Sequence, residues 1–257
     1  MTVAPKKALG QHFLVDENIL GVIGRFSDLQ SDDVVLEVGP GLGMLTRYLA
    51  ARVRLVHAVE IDRALEEPLS ATLAAHENVR LVFGDALGLD LDALEPPPRK
   101  LVANLPYNIA TPLVVETLEH VPSLERWCVM VQREVADRFF AKPRTKAYGA
   151  VSVLVQLAAR KAGFRAVPPT VFRPRPRVES ALVAFTRLAG PPFADVRPVV
   201  EAAFAHRRKM LANSVALAGL ASRARVEEGL ATIGRSAQVR AEELAPSEFV
   251  ALADALR

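Results

Sequence analysis

Five short apolar runs, at 34–38, 55–59, 79–83, 100–103 and 127–131, alternate with stretches of helical spacing, and this alternation constrains the fold more than any other feature of the chain. Runs such as Val34-Val35-Leu36-Glu37-Val38 are apolar almost throughout, as strands buried on both faces must be. Helical spacing falls near 44–51, 63–75 and 112–120, with Thr111-Pro112 as a start signal and Val121-Pro122 as a stop. Strands alternating with helices predict an α/β domain whose parallel sheet is covered on both sides. A helix near 16–26 precedes the first strand as an entry element. Beyond residue 141 the pattern changes. Residues 148–159 read as helix, and 164–167 and 180–186 as strands flanking a proline-rich loop at 168–176. After Gly190-Pro191-Pro192 everything is helical, at 196–208, 210–217, 223–233 and 246–256. Two domains are expected: an α/β domain over 1–190 and a small all-helical one over 191–257.

Composition removes several classes. With 51% apolar residues among 257 and a net charge of +3, disorder is excluded as the main state. A single cysteine, Cys128, excludes an internal disulfide and a multi-cysteine metal site, and no metal is expected. No apolar run is long enough to span a membrane, and the polar start Met-Thr-Val-Ala-Pro-Lys-Lys does not resemble a signal segment, so the expectation is a soluble, cytoplasmic protein. Charge is unevenly spread. Residues 28–96 carry 13 acidic against 5 basic side chains, and residues 133–187 carry 12 basic against 3 acidic. Such a split suits a polyanion docked on one side, although an arginine-rich solvated face gives the same count.

The turns after the strands carry the first chemical signal. Strand one runs into Gly39-Pro40-Gly41-Leu42-Gly43, where glycines allow a sharp turn and close approach of a ligand. Strand two ends in Glu60-Ile61-Asp62, placing a carboxylate where it accepts both hydroxyls of a ribose. Strand three ends in Gly84-Asp85-Ala86, a second carboxylate at the same edge, placed to accept from an adenine amino group. Each acid alone reads equally as a helix cap; three such features on successive strands point to an adenosine-bearing cofactor. A nicotinamide enzyme is the rival at this stage, but Met44 stands where the last glycine of a dinucleotide loop belongs, and no clear hydride-site histidine is present.

Strand four ends in Asn104-Leu105-Pro106-Tyr107. The exocyclic amine of adenine is a poor nucleophile because its lone pair is delocalised into the ring. An Asn104 side-chain carbonyl and a main-chain carbonyl near Leu105 or Pro106 can each accept an amine proton and free that lone pair. Pro106 stiffens the turn and has no N–H to compete. Tyr107 offers a stacking face, worth ~1–3 kcal/mol per base. The bland alternative is a strand-end turn with a packed tyrosine.

At this point the chain resembles a known family, the ribosomal RNA adenine N6-dimethyltransferases of the bacterial small-subunit type, over essentially its whole length. The matching segments are 9–14 (Leu-Gly-Gln-His-Phe-Leu), 37–46, 60–62, 84–86, 104–112, 171–181 and 204–214. The resemblance implies a Rossmann-like class I methyltransferase domain that binds S-adenosyl-L-methionine, followed by a helical domain that helps grip RNA. It also implies transfer of four methyl groups, two to each of two adjacent adenosines near the 3′ end of 16S rRNA, and a role in small-subunit biogenesis. Carried over by position, His12, Leu14, Gly39, Gly41, Glu60, Ile61, Asp85, Ala86 and Asn104 hold the cofactor. The family usually has Asn where this chain has His12, and the imidazole's charge would make cofactor affinity pH-sensitive. Phosphate contacts are expected from Lys6, Lys7, Arg144, Lys146, Arg173, Arg175, Arg177, Arg207, Arg208 and Lys209, with the 173–177 loop foremost because prolines alternate with its guanidiniums. The expected partner is small-subunit rRNA and the expected state a monomer. Alternatives are a 23S rRNA adenine methyltransferase of the resistance type, or a non-catalytic assembly factor on the same fold.

Overall fold

The computed structural model describes residue 6 and residues 9–190 and 193–257. In chain order the first elements are β1 (Phe13–Leu14), α1 (Glu17–Ser27), β2 (Val34–Val38), α2 (Met44–Ala50), β3 (Leu55–Glu60), α3 (Glu66–Leu73), β4 (Val79–Phe83) and β5 (Lys100–Asn104). Then come α4 (Ala110–His120), β6 (Arg126–Gln132), α5 (Arg133–Phe139), α6 (Ala150–Ala158), β7 (Ala159–Val167), β8 (Phe172–Arg173) and β9 (Ser180–Arg187). The last four helices are α7 (Phe193–Phe204), α8 (Leu211–Leu217), α9 (Arg223–Thr232) and α10 (Pro246–Leu256).

Contacts group these elements into two compact units. One runs to Ala136 and resumes over Arg160–Arg187; the other comprises Asp137–Ala159 and Leu188–Arg257. The sequence-based cut at 190 therefore marks only the last crossing. Segment 137–159 packs with the C-terminal helices, because Tyr148 is fully buried there, donates to the Leu244 carbonyl at 2.8 Å, and lies edge-on to Phe204 at 6.0 Å.

The first unit is a seven-stranded sheet in the order β4-β3-β2-β5-β6-β9-β7. The five strands expected from the apolar runs are parallel, while β9 is antiparallel to β6. The period of two along the strands sorts the core. Val35, Val56, Ala58, Val102, Cys128, Met130 and Leu182 join one cluster with Ile19, Leu20 and Ile23 of α1 and Leu45 and Leu49 of α2. α1 is set by its ends: the Asp16 side chain accepts from the Asn18 N–H, and Asp28 closes the helix at φ 53°. Burial pushes the Cys128 thiol up to about 12, so it is an inert core residue.

The ladder continues one residue beyond two strands. Gly39 N–H donates to the Val59 carbonyl at 2.9 Å, and Gly84 N–H to the Glu60 carbonyl at 2.9 Å. The carboxyl ends of β2, β3, β4 and β5 thus form a staircase at one edge, with β2 at its centre, where the strand order reverses. A second, two-stranded sheet pairs β1 with β8 antiparallel, Phe13 opposite Arg173 and Leu14 opposite Phe172. It carries the 9–14 segment and the 173–177 loop to that same edge.

Candidate active site

Two adjoining hollows open at the carboxyl edge of the sheet, sharing Leu9, Gly39, Glu60, Ile61 and Pro106 in their walls. One is lined also by His12, Leu14, Glu37, Gly41, Asn104, Leu105 and Tyr107. The other is lined also by Asp85, Ala86, Asn108 and Ile109. Every residue that the sequence assigned to a cofactor or to the amine thus lines one continuous cleft.

The glycine turn is shaped by close approach. Gly39 (φ 75°) would bring a Cβ within 3.2 Å of the Pro106 ring, and Gly41 (φ 60°) within 2.9 Å of Phe13. Left-handed backbone and absent side chains are both required at these positions. Glu60 holds this turn. Its Oε2 accepts the Gly41 N–H at 3.1 Å and its Oε1 accepts the Asp62 N–H at 2.9 Å. Only 5% of Glu60 is exposed, and burial raises its carboxyl above the usual range against those two hydrogen bonds. Each carboxylate oxygen keeps a further lone pair for a ligand's hydroxyls. Asp85 is exposed and accepts the Leu87 N–H through Oδ1 at 3.0 Å.

The orientation of Asn104 is decided by a neighbour 92 residues away in sequence. Its Nδ2 donates to the His12 carbonyl at 3.0 Å; because a carbonyl can only accept, the amide nitrogen must face His12, and Oδ1 is left as an acceptor. The Pro106 carbonyl already accepts the Ile109 N–H at 3.2 Å. With two lone pairs that carbonyl can accept once more, so Leu105 and Pro106 both stay available as the second acceptor. The Tyr107 hydroxyl is 2.6 Å from Ser180 Oγ, and its ring lies 5.3 Å from the His12 ring, tilted by 33°. His12 Nδ1 is 2.7 Å from the Pro174 carbonyl, so it carries a proton and donates. His12 therefore links the 173–177 loop to the Asn104 and Tyr107 positions.

The expected phosphate contacts that the structure describes are all exposed and differ in their partners. Arg173, Arg175 and Arg177 are exposed and make no ion pair among the described residues. Arg208, Lys209 and Lys146 are also exposed. Others are engaged within the protein: Lys6 pairs with the buried Asp62 at 2.6 Å, Arg144 with Glu243 at 3.5 Å, and Arg207 donates to the Tyr148 carbonyl at 2.9 Å. Lys7 lies outside the described residues.

Glu37 was not singled out from the sequence, although a carboxylate inside the otherwise apolar run 34–38 was the visible sign. It is 1% exposed, lines the same hollow as Asn104, and its Oε2 has no hydrogen-bond partner. Burial pushes its carboxyl up to about 8; the Thr46 hydroxyl, outside hydrogen-bond geometry, opposes the shift, and the Glu60 charge adds to it. A carboxyl raised on folding stabilises the protein below the unfolded value near 4.5, and that contribution is lost as pH rises through about 8. In denaturant titrations of the free protein, Glu37→Gln is therefore expected to match wild type near pH 5 and to be more stable by roughly 3 kcal/mol at pH 8. A pH-independent difference would show that Glu37 is already ionised in the folded state.

The donor set defines what fits. Carboxylates stand for hydroxyls and an amino group, the walls are apolar, and no Lys or Arg lines either hollow among the described residues. A nucleoside without phosphates, carrying positive charge, suits this cleft; a dinucleotide does not. Among the described residues the one group of potential metal ligands, Glu116, Glu119 and His120, is part of α4 and lines neither hollow.

The family model for ribosomal RNA adenine dimethylase matches residues 4–255. A curated relative from Rubrobacter xylanophilus, named ribosomal RNA small subunit methyltransferase A, is 51% identical over 253 residues, covering 98% of this chain and 95% of its own. A protein of the same name from Moorella thermoacetica is 41% identical, covering 99% and 93%. Among solved structures, a dimethyladenosine transferase from Plasmodium falciparum superposes with a TM-score of 0.79 at 23% identity, over 94% of this chain and 96% of its own, and shares the fold. The 23S rRNA methyltransferase ErmE superposes at 0.65 with 30% identity, over 95% and 99%. By sequence along nearly its full length, and with a fold to match, the chain belongs to the ribosomal RNA adenine dimethylase family.

Proposed function

We propose that this protein is a 16S rRNA adenine N6-dimethyltransferase that uses S-adenosyl-L-methionine to place two methyl groups on each of two adjacent adenosines near the 3′ end of small-subunit rRNA. The observation that carries it is the Asn104 amide, held by the His12 carbonyl so that Oδ1 is left as an acceptor, with the main-chain carbonyls of Leu105 and Pro106 following it in the chain. Two fixed acceptors at that place draw the amine protons and bring the nitrogen lone pair out of conjugation. Glu60 would hold the ribose of the donor and Asp85 its adenine amine, with Ile61 and Ala86 as apolar walls and Gly39 and Gly41 admitting the methionine end. When bound there, S-adenosyl-L-methionine supplies an electrophilic methyl group. The attacked nitrogen becomes acidic as it is methylated, so its proton leaves to water and no strong base is needed. Tyr107, steadied by Ser180, provides the stacking face for an adenosine that has left its helix.

Relatives named for the small subunit, at 41–51% identity, favour 16S over 23S rRNA. The test is labelled methyl transfer to small subunits lacking these modifications, set beside modified small subunits, large subunits and naked RNA. Incorporation confined to unmodified small subunits supports the reading; incorporation into large subunits would favour the 23S alternative, and none at all the assembly factor.

RNA binding is expected to weaken steeply with salt, because phosphate contacts release counterions. Exchanging Arg173, Arg175 and Arg177 together for glutamine should lower the slope of log affinity against log salt by about 2, at ~0.7 per single-strand phosphate contact. An unchanged slope would place the RNA backbone elsewhere.

A further inference from the structure

The two outermost strands of the seven-stranded sheet differ in charge. At one end stands β4, whose single cation, Arg80, donates from its guanidinium to the Glu95 carbonyl. At the other stands β7, with Arg160, Lys161 and Arg165 exposed and without an ion pair among the described residues. From Arg160 to Val178 the chain has six cations and no Asp or Glu, so the local sequence offers them no carboxylate. Phe164 gathers two cations: Lys161 Nζ lies 4.5 Å and the Arg133 guanidinium carbon 5.0 Å from the centre of its ring. Such a contact uses the charge of a lysine but none of its three N–H donors, which remain available to a ligand. The strand beneath is fixed. Gly163 packs so closely on Phe26 of α1 that a Cβ would come within 3.0 Å, and Val167 is buried in the same core cluster as Leu14 and Phe172.

We propose that β7 is a further RNA-binding surface, on which Arg160, Lys161 and Arg165 take backbone phosphates of the rRNA whose adenosines enter the cleft. The inference rests on the RNA-substrate reading given above. At about 3.3 Å per residue the strand carries these cations over roughly 17 Å, long enough for more than one phosphate. The next strand in the chain is β8, which leads into the 173–177 loop, so the acid-free run of cations continues from the sheet edge to the loop beside the cleft. Phosphate contacts fix the register and orientation of a nucleic acid and carry no sequence information, so the choice of adenosine stays with the cleft. Cations on an outermost strand also discourage pairing with a second sheet, and the experiment separates the two roles.

The test exchanges Arg160, Lys161 and Arg165 together for glutamine in the whole protein and measures affinity for unmodified small subunits over a salt series. The slope of log affinity against log salt should fall by about 2, at ~0.7 per single-strand phosphate contact, in addition to the fall expected for the 173–177 exchange. KM for the subunits should rise by about tenfold, while kcat and donor affinity stay within about twofold and show that fold and cleft persist. Exchanging the exposed Arg47, Arg52 and Arg54 for glutamine makes the same change of net charge elsewhere and should leave the slope as it is. An unchanged slope in the β7 variant, or an equal fall in both variants, would overturn the proposal. Self-association of the β7 variant with an unchanged slope would overturn it too, and would show that these cations guard the edge against a second copy. Absence of methyl transfer by the wild-type protein to any rRNA would instead overturn the substrate reading itself.

Discussion

Alanine at position 104 is expected to slow methyl transfer by about 10²–10³-fold while donor and RNA affinities stay within a few-fold of wild type. The size follows from what one preorganised hydrogen-bonding group contributes when aimed at a reacting centre in a site that excludes water. Two effects combine in Asn104→Ala. The acceptor Oδ1 is lost, so only a main-chain carbonyl of Leu105 or Pro106 remains to draw an amine proton. The 3.0 Å bond from Nδ2 to the His12 carbonyl is lost too, releasing the segment that pairs through β1 with the arginine loop. Asn104→Asp separates these effects. A carboxylate still accepts but cannot donate to the His12 carbonyl, so it should turn over faster than alanine yet below wild type. Single-turnover rates at saturating donor and RNA are the measurement. If kcat stays within threefold, or falls only in proportion to donor affinity, Asn104 positions the cofactor rather than the amine.

Arg187→Ala is expected to cost about 3–5 kcal/mol of folding stability, although the residue is far from any reacting atom. Arg187 ends β9, half-buried, with its guanidinium among the carbonyls at the C-terminal end of α4. Nε donates to the Leu124 carbonyl at 2.6 Å, Nη1 to Leu118 at 2.9 Å, and Nη2 to Val121 at 2.8 Å and Thr117 at 3.5 Å. The cation also lies 5.0 Å from the centre of the Trp127 ring. Burial lowers its pKa, but the negative end of the α4 dipole and four carbonyls keep the charge in place of a carboxylate. Removing it takes their donor from four part-buried carbonyls and opens a void beside Trp127, which stacks on Phe185 at 5.4 Å. Arg187→Met fills the void and restores no donor, so it should recover only a minor part of the loss in urea titrations. A loss under 1 kcal/mol for Arg187→Ala would mean that water replaces the guanidinium at these carbonyls.

What the sequence alone determined was whatever depends on near neighbours. The five parallel strands follow from short β-branched runs, and the turn at 39–43 from glycines that alone tolerate positive φ at close quarters. The line-up of Glu60, Asp85 and Asn104 follows from their positions at successive strand ends, since a parallel sheet sends all its carboxyl ends to one edge. What only the tertiary structure decided depends on residues far apart in the chain. β1 and β8 are two residues each, too short to leave a periodic trace, and they define each other only by pairing across about 160 positions. Arg173 and Arg207 are indistinguishable as cations in sequence and both are exposed, yet Arg173, on β8, makes no ion pair among the described residues while Arg207 donates to the Tyr148 carbonyl. The identity of a side chain is local, whereas its charge state, its free lone pairs and its exposure are set by what the fold packs around it. For that reason Glu37 passed as one residue of a strand until burial left its oxygen without a partner.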